Sequence, residues 1–140
     1  MKIGAVVLMA FLFAACSKSS SNSNPVTPPS GNSNVSFSSQ VQPIFTANCA
    51  LSGCHAGPSP QQGQDLSSGH AYGSIVNVAS VERPNLVRVK PSYSDSSYLY
   101  MKITGAAGIA GVRMPNGRPP LSSSDIQTIK EWIDQGAQNN

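Results

Sequence analysis

Two cysteines with four residues between them, and a histidine directly after the second, stand in Cys49-Ala50-Leu51-Ser52-Gly53-Cys54-His55. Two thiols on one short loop can form thioethers to the two vinyl groups on one edge of a porphyrin. An imidazole beside the second thiol can then meet the iron from the same side. The common spacing for that chemistry is Cys-x-x-Cys-His. The longer interval here puts a bulge between the sulfurs, and Gly53 supplies the backbone freedom such a bulge needs. Two other uses of these residues stay open. Cys49 and Cys54 could close a short disulfide in an oxidising compartment, leaving a haem-free exported binding or structural domain. With His55 and His70 they could instead hold zinc, although the adjacent Cys54 and His55 would have to reach one tetrahedral ion from neighbouring backbone positions.

An iron that passes electrons quickly needs a sixth ligand. Beyond the N-terminal segment the methionines are Met101 and Met114. Met101 lies in an apolar helical run and reads as core packing. Met114 sits in Gly111-Val112-Arg113-Met114-Pro115-Asn116-Gly117, a loop poorly suited to packing alone but suited to aiming a thioether at a metal. His70, after Ser67-Ser68-Gly69, is the rival ligand.

The elements that must position these groups are helical. Val41, Ile44, Phe45 and Cys49 recur at helical spacing, with Ser38 or Ser39 as a cap and Pro43 tolerable in the first turn. Near the C-terminus Ser122 can cap a helix with Asp125 at the box position and Leu121 and Ile126 as the staple. Its apolar stripe is Ile126, Ile129, Ile133 and Ala137, with Trp132 beside it and Gly136 as a stop. The first and last helices are expected to cross and close the core. Ser94 to Thr104, with Leu99, Met101 and Ile103, is a third helix, and Gly69 to Val78 a weaker fourth. No strand alternation is sustained and no internal repeat is evident, so the fold class is all-α, a small helical domain with long loops.

The N-terminus reads Met1-Lys2, an apolar run from Ile3 to Phe13, then Ala14-Ala15-Cys16. A basic start, a short apolar core and small residues before a cleavage point describe an export signal over 1–15. The tripeptide ahead of Cys16 resembles the lipobox of bacterial lipoproteins, with Phe13 in place of the usual leucine, so Cys16 is the expected lipidation site. Acyl chains there would anchor the chain at about 0.8 kcal/mol per buried methylene. Residues 16–34 are rich in Ser, Asn, Pro and Thr and read as a disordered tether. The domain is therefore expected over 35–140. Ser17 lacks the aspartate that marks inner-membrane retention, which favours the outer membrane and a lipid-anchored domain facing the periplasm.

The whole chain has 140 residues, 11% of them charged, and a formal charge of +3 that includes Lys2. Removal of the signal and addition of two haem propionates would cancel most of that charge, and no nucleic-acid partner follows from it. Catalysis has little support. There is no Gly-x-Ser-x-Gly elbow and no phosphate-cradling loop, and Asp65, Glu82, Asp95, Asp125, Glu131 and Asp134 are scattered.

A helix ending in Cys and Cys-His, a late Met-Pro loop and a closing helix with Trp132-Ile133 together resemble the class I cytochrome c fold. From Val41 to Ala137 the chain is similar, more narrowly, to the monohaem, planctomycete-type cytochrome c-like domains with a CxxxxCH motif. Arg88-Val89-Lys90-Pro91 followed by Ser97-Tyr98-Leu99 resembles their middle region. The resemblance implies one covalent haem c on Cys49 and Cys54, His55 as proximal ligand, Met114 as distal ligand, and an electron carrier serving redox partner proteins of the cell envelope. Phe45, Leu51, Ile75, Leu99, Ile103, Leu121, Ile129 and Trp132 are the candidate apolar wall. Arg83, Arg88 and Lys90 are the candidate partners of the propionates. Trp132 could donate to a propionate, but packing against Phe45 is the preferred expectation.

Overall fold

The computed structural model describes residues 34–140. The expected export signal over 1–15, lipidation of Cys16 and, apart from Asn34, the tether over 16–34 lie outside the described residues. The domain is helical, and among the described residues there is no strand, only isolated bridges such as Val76 to Val89 and Val87 to Ser97.

The first helical segment begins earlier than Ser38 or Ser39. Ser36 is its cap, its hydroxyl accepting from the Ser39 N–H at 3.3 Å. A π turn, Phe37–Val41, runs directly into α1, Gln42–Asn48. Pro43 accounts for the widened turn. It has no N–H and its ring crowds the carbonyl four residues back, so the Gln42 N–H reaches Phe37 O instead. Inserting one residue in this way is how helices usually absorb a local mismatch.

The weak fourth candidate forms only α2, Ala71–Ile75. The expected helix over 94–104 divides into a 3-10 turn, Ser94–Ser96, and α3, Tyr98–Thr104. Ser97 separates the two because its hydroxyl donates to Tyr93 O at 2.9 Å while accepting from the Lys90 N–H at 2.8 Å. A side chain that bonds nearby backbone competes with helix continuation.

The last helix, α4, spans Ser123–Asp134 and follows expectation closely: Ser122 Oγ accepts from the Asp125 N–H at 3.1 Å. Its end is a Schellman motif. The Ala137 N–H bonds Trp132 O and the Gly136 N–H bonds Ile133 O, both at 2.9 Å, with Gly136 at φ 98°.

Helix α4 packs on the π turn and on α3, which is how the first and last helical segments meet. Trp132 is buried against Phe37, ring centroids 5.1 Å apart, and near Tyr72 at 6.4 Å, in the same core cluster as Phe45. Its indole N–H donates to Gln138 O at 2.8 Å, which leaves nothing for a propionate. Met101, in the middle of α3, is half-buried and outside the core cluster, not in the core as expected. The two ends of the domain are clasped: Ser38 N–H bonds Asn140 O, Phe37 N–H bonds Asn140 Oδ1, both at 2.8 Å, and Val35 N–H bonds Gln135 Oε1.

Candidate functional site

Helix α1 ends at Cys49, whose N–H still bonds Phe45 O at 2.8 Å. From there a compact turn carries the chain back on itself: Cys54 N–H bonds Leu51 O and His55 N–H bonds Cys49 O. Gly53 makes this possible at φ 78°, in the left-handed region where a side chain is disfavoured. The four-residue interval thus closes into a loop that sets Cys49, Cys54 and His55 on the wall of one cleft of about 400 Å³. That volume falls in the range of pockets for organic ligands, about 300–1,000 Å³. Met114, from the far end of the chain, lines the same cleft.

Both cysteines are free thiols. Cys49 is buried, and burial pushes its thiol up to about 11, helped by the neighbouring Cys54 and opposed by the Arg118 charge. It is therefore a neutral thiol at physiological pH. His55 Nδ1 lies 3.2 Å from Gln64 O. A carbonyl can only accept, so Nδ1 carries the proton and Nε2 keeps its lone pair. Burial lowers the His55 pKa, outweighing its backbone hydrogen bonds, and so favours the neutral ring that a metal requires.

The segment leading into Gln64 is itself held by a buried cation. Gln62 and Gly63 both adopt positive φ, 56° and 59°, which for Gln62 costs about 1–2 kcal/mol. The conformation turns their carbonyls to one guanidinium: Arg88 Nη2 donates to Gln62 O at 2.6 Å, and Arg88 Nη1 donates to Gly63 O at 3.3 Å and Ser74 O at 2.7 Å. Hydrogen bonds from a charged donor contribute about 1.5–3 kcal/mol each, enough to offset the strain. Arg88 is 5% exposed and lines the cleft, and three of its N–H donors go to backbone carbonyls, those of Gln62 and Gly63 in the loop that supports His55 and that of Ser74 in α2.

The expected basic group is therefore dispersed. Arg83 and Lys90 do not line the cleft, and Lys90 lies over the Tyr93 ring at 4.5 Å. Instead the cleft has Lys102 and Arg118. Lys102 is committed: Nζ donates to Glu82 Oε2 at 3.1 Å and to Ala110 O at 2.8 Å. Glu82 also accepts from the Tyr98 hydroxyl at 2.8 Å. Burial raises the Glu82 carboxyl, but these two donors outweigh it and hold the group below the ordinary carboxylate range. Arg118 is exposed at the rim and has no hydrogen bond or ion pair among the described residues. Sequence reasoning missed Glu82, Tyr98, Lys102 and Arg118, because only the fold brings the 80–82 loop, α3 and the Met114 loop to one wall.

Of the expected apolar wall, Phe45, Leu99 and Ile103 line the cleft and Leu66 joins them. Ile75, Leu121, Ile129 and Trp132 belong to the core instead, and Leu51 is only half-buried.

His70 is not part of this wall. It is exposed, with Nδ1 3.4 Å from Ser67 Oγ and 4.0 Å from Asp65. Among the described residues no group of three or more His, Cys, Asp or Glu side chains could hold a metal ion, so the zinc set of Cys49, Cys54, His55 and His70 is not assembled.

No family model and no curated protein matches the chain. Among solved structures it is similar to hydrazine synthase of Kuenenia stuttgartiensis, at 28% identity and a TM-score of 0.53 over 76% of this chain. The match takes up 16% of that protein's chain.

Proposed function

We propose that the domain is a cytochrome c-like electron carrier holding one covalent haem c in this cleft. The observation that carries the reading is that Cys49, Cys54, His55 and Met114 line one cleft although Met114 is remote in the chain. The donor set fits such a group: two free thiols for thioethers, a neutral imidazole with Nε2 available, and a thioether sulfur, beside the apolar side chains of Phe45, Leu66, Leu99 and Ile103. The similarity to a stretch of hydrazine synthase is compatible with this reading and does not extend to that protein's activity.

Haem would supply one-electron chemistry, and a His/Met ligand pair would favour ferrous iron relative to two histidines. The chain's own residues do the rest. Gln64 O and Arg88 keep the His55 ring in one tautomer and orientation, an outer-shell arrangement typical of metal-bound histidine. Arg118, exposed at the rim and without a hydrogen bond among the described residues, takes the place of Arg83 and Lys90 as a partner for a haem carboxylate. His55 and Met114 would together hold the iron and leave no open position for a substrate, which favours electron transfer as the role.

In the same reading residues 1–15 direct export, Cys16 carries the lipid, and residues 16–34 let the domain reach redox partner proteins from the periplasmic side of the outer membrane. Protein produced with a haem c maturation system is expected to be red and to show one haem per chain as its pyridine haemochrome. Cys49→Ser with Cys54→Ser should abolish covalent haem. Met114→Ala should keep the haem, lose the weak near-infrared-edge band of sulfur-ligated ferric iron, and lower the potential. A colourless, fully matured wild type overturns the reading.

A further inference from the structure

Met114 stands on a loop that ought to be mobile. Gly105, Gly108, Gly111 and Gly117 punctuate it, all at positive φ, and the methionine side chain has three freely rotating bonds of its own. What restrains the residue is the C-terminal end of α3. The last carbonyls of a helix have no partner within it, and here the returning loop supplies two. Met114 N–H bonds Lys102 O at 2.9 Å, and the neighbouring Arg113 Nε donates to Ile103 O at 2.7 Å. The Arg113 stem also lies along Gly105, the left-handed cap of α3: a methyl group built on Gly105 would stand 3.0 Å from Arg113 Cδ. Arg113 is half-buried and forms no ion pair among the described residues. Among the described residues its hydrogen bond goes to that carbonyl.

We propose that Arg113 is a positioning residue for Met114, clamping the loop onto the end of α3 through its Nε–H so that the thioether is held at the cleft. The clamp acts through the donor at Nε and not through the guanidinium charge. It rests on the haem reading for its consequence at iron, while the hold on the loop itself does not depend on haem.

The test uses haem-loaded full-length protein with Arg113→Leu, which keeps the start of the stem and removes the donor, and Arg113→Gln, whose side-chain nitrogen falls where Nε stood. Arg113→Leu should retain one haem per chain, because the thioethers and His55 are untouched, but lose about half or more of the near-infrared-edge band, as expected when one hydrogen bond of about 1 kcal/mol is removed. Arg113→Gln should restore most of the band. Should Arg113→Leu fail to fold, Gly105→Ala is expected to give the same partial loss by displacing the Arg113 stem. In parallel, exchange of the Met114 amide hydrogen, read on whichever form of the protein purifies, should quicken about fivefold to tenfold in Arg113→Leu. An undiminished band and unchanged exchange in Arg113→Leu overturn the proposal, as does equal loss in Arg113→Gln and Arg113→Leu. If the wild type carries no haem, the functional reading fails and the exchange rate alone decides whether Arg113 holds the loop.

Discussion

Asp134 at the end of α4 accepts from two sides: Lys130 Nζ at 2.6 Å and the Ser94 N–H at 3.0 Å. Burial acts to raise its carboxyl, but these donors prevail and its pKa is lowered. A carboxyl depressed in the folded state contributes stability above its unfolded pKa, about 3.9, and that contribution fades as pH falls through the lower, folded value. Asp134→Ala should therefore cost on the order of 0.5–1.5 kcal/mol at pH 7, with the gap from wild type closing below about pH 4. Urea titrations of both proteins at two pH values would check this. An unchanged gap in acid would assign the effect to packing. At this scale the cleft residues Cys49, Cys54, His55 and Met114 were legible because their types are scarce and their chemistry is specific. Arg88 was not. Its acceptors are the backbone oxygens of Gln62, Gly63 and Ser74, and a carbonyl leaves no trace in residue order.

Among the elements, α4 was readable in detail because its signals are local: a serine cap, a staple, a periodic stripe and a glycine stop. Replacing the cap hydroxyl by Ser122→Ala should lower stability by about 1 kcal/mol, measured as a shift in the denaturation midpoint without change in slope. The beginning of the first helical segment was misjudged by one turn. Ser36, Ser38 and Ser39 are all plausible caps, and the choice among them depends on the clasp to Asn140 and on a π turn forced by Pro43, both outside the reach of periodicity. In the Cys49–His55 loop, Gly53→Ala meets no neighbouring atom within 4 Å. Its cost should come from the left-handed backbone alone, about 1–2 kcal/mol. Thermal melting together with haem yield after maturation would show whether the same strain hinders attachment.

The molecule as a whole is organised about Phe37, Tyr72 and Trp132, which bring the π turn, α2 and α4 together. Trp132→Ala removes both the buried ring and the donor to Gln138 O. It should cost about 3–5 kcal/mol, a large share of the 5–15 kcal/mol that holds a typical domain together. Circular dichroism in urea would read the loss. That these aromatic residues meet could not be inferred beforehand, since Phe37 lies ahead of the expected first helix, Tyr72 is in the weakest of the expected helices, and their pairing is set by how the chain folds back on itself.

None of the residues joining those ends, Val35 to Ser38 and Gln135 to Asn140, lines the cleft. Tension drawn through Asn34 would first load the rungs to Gln135 and Asn140 along one seam, so a pull on this end of the domain would leave the loops that carry Cys49, Cys54, His55 and Met114 undistorted.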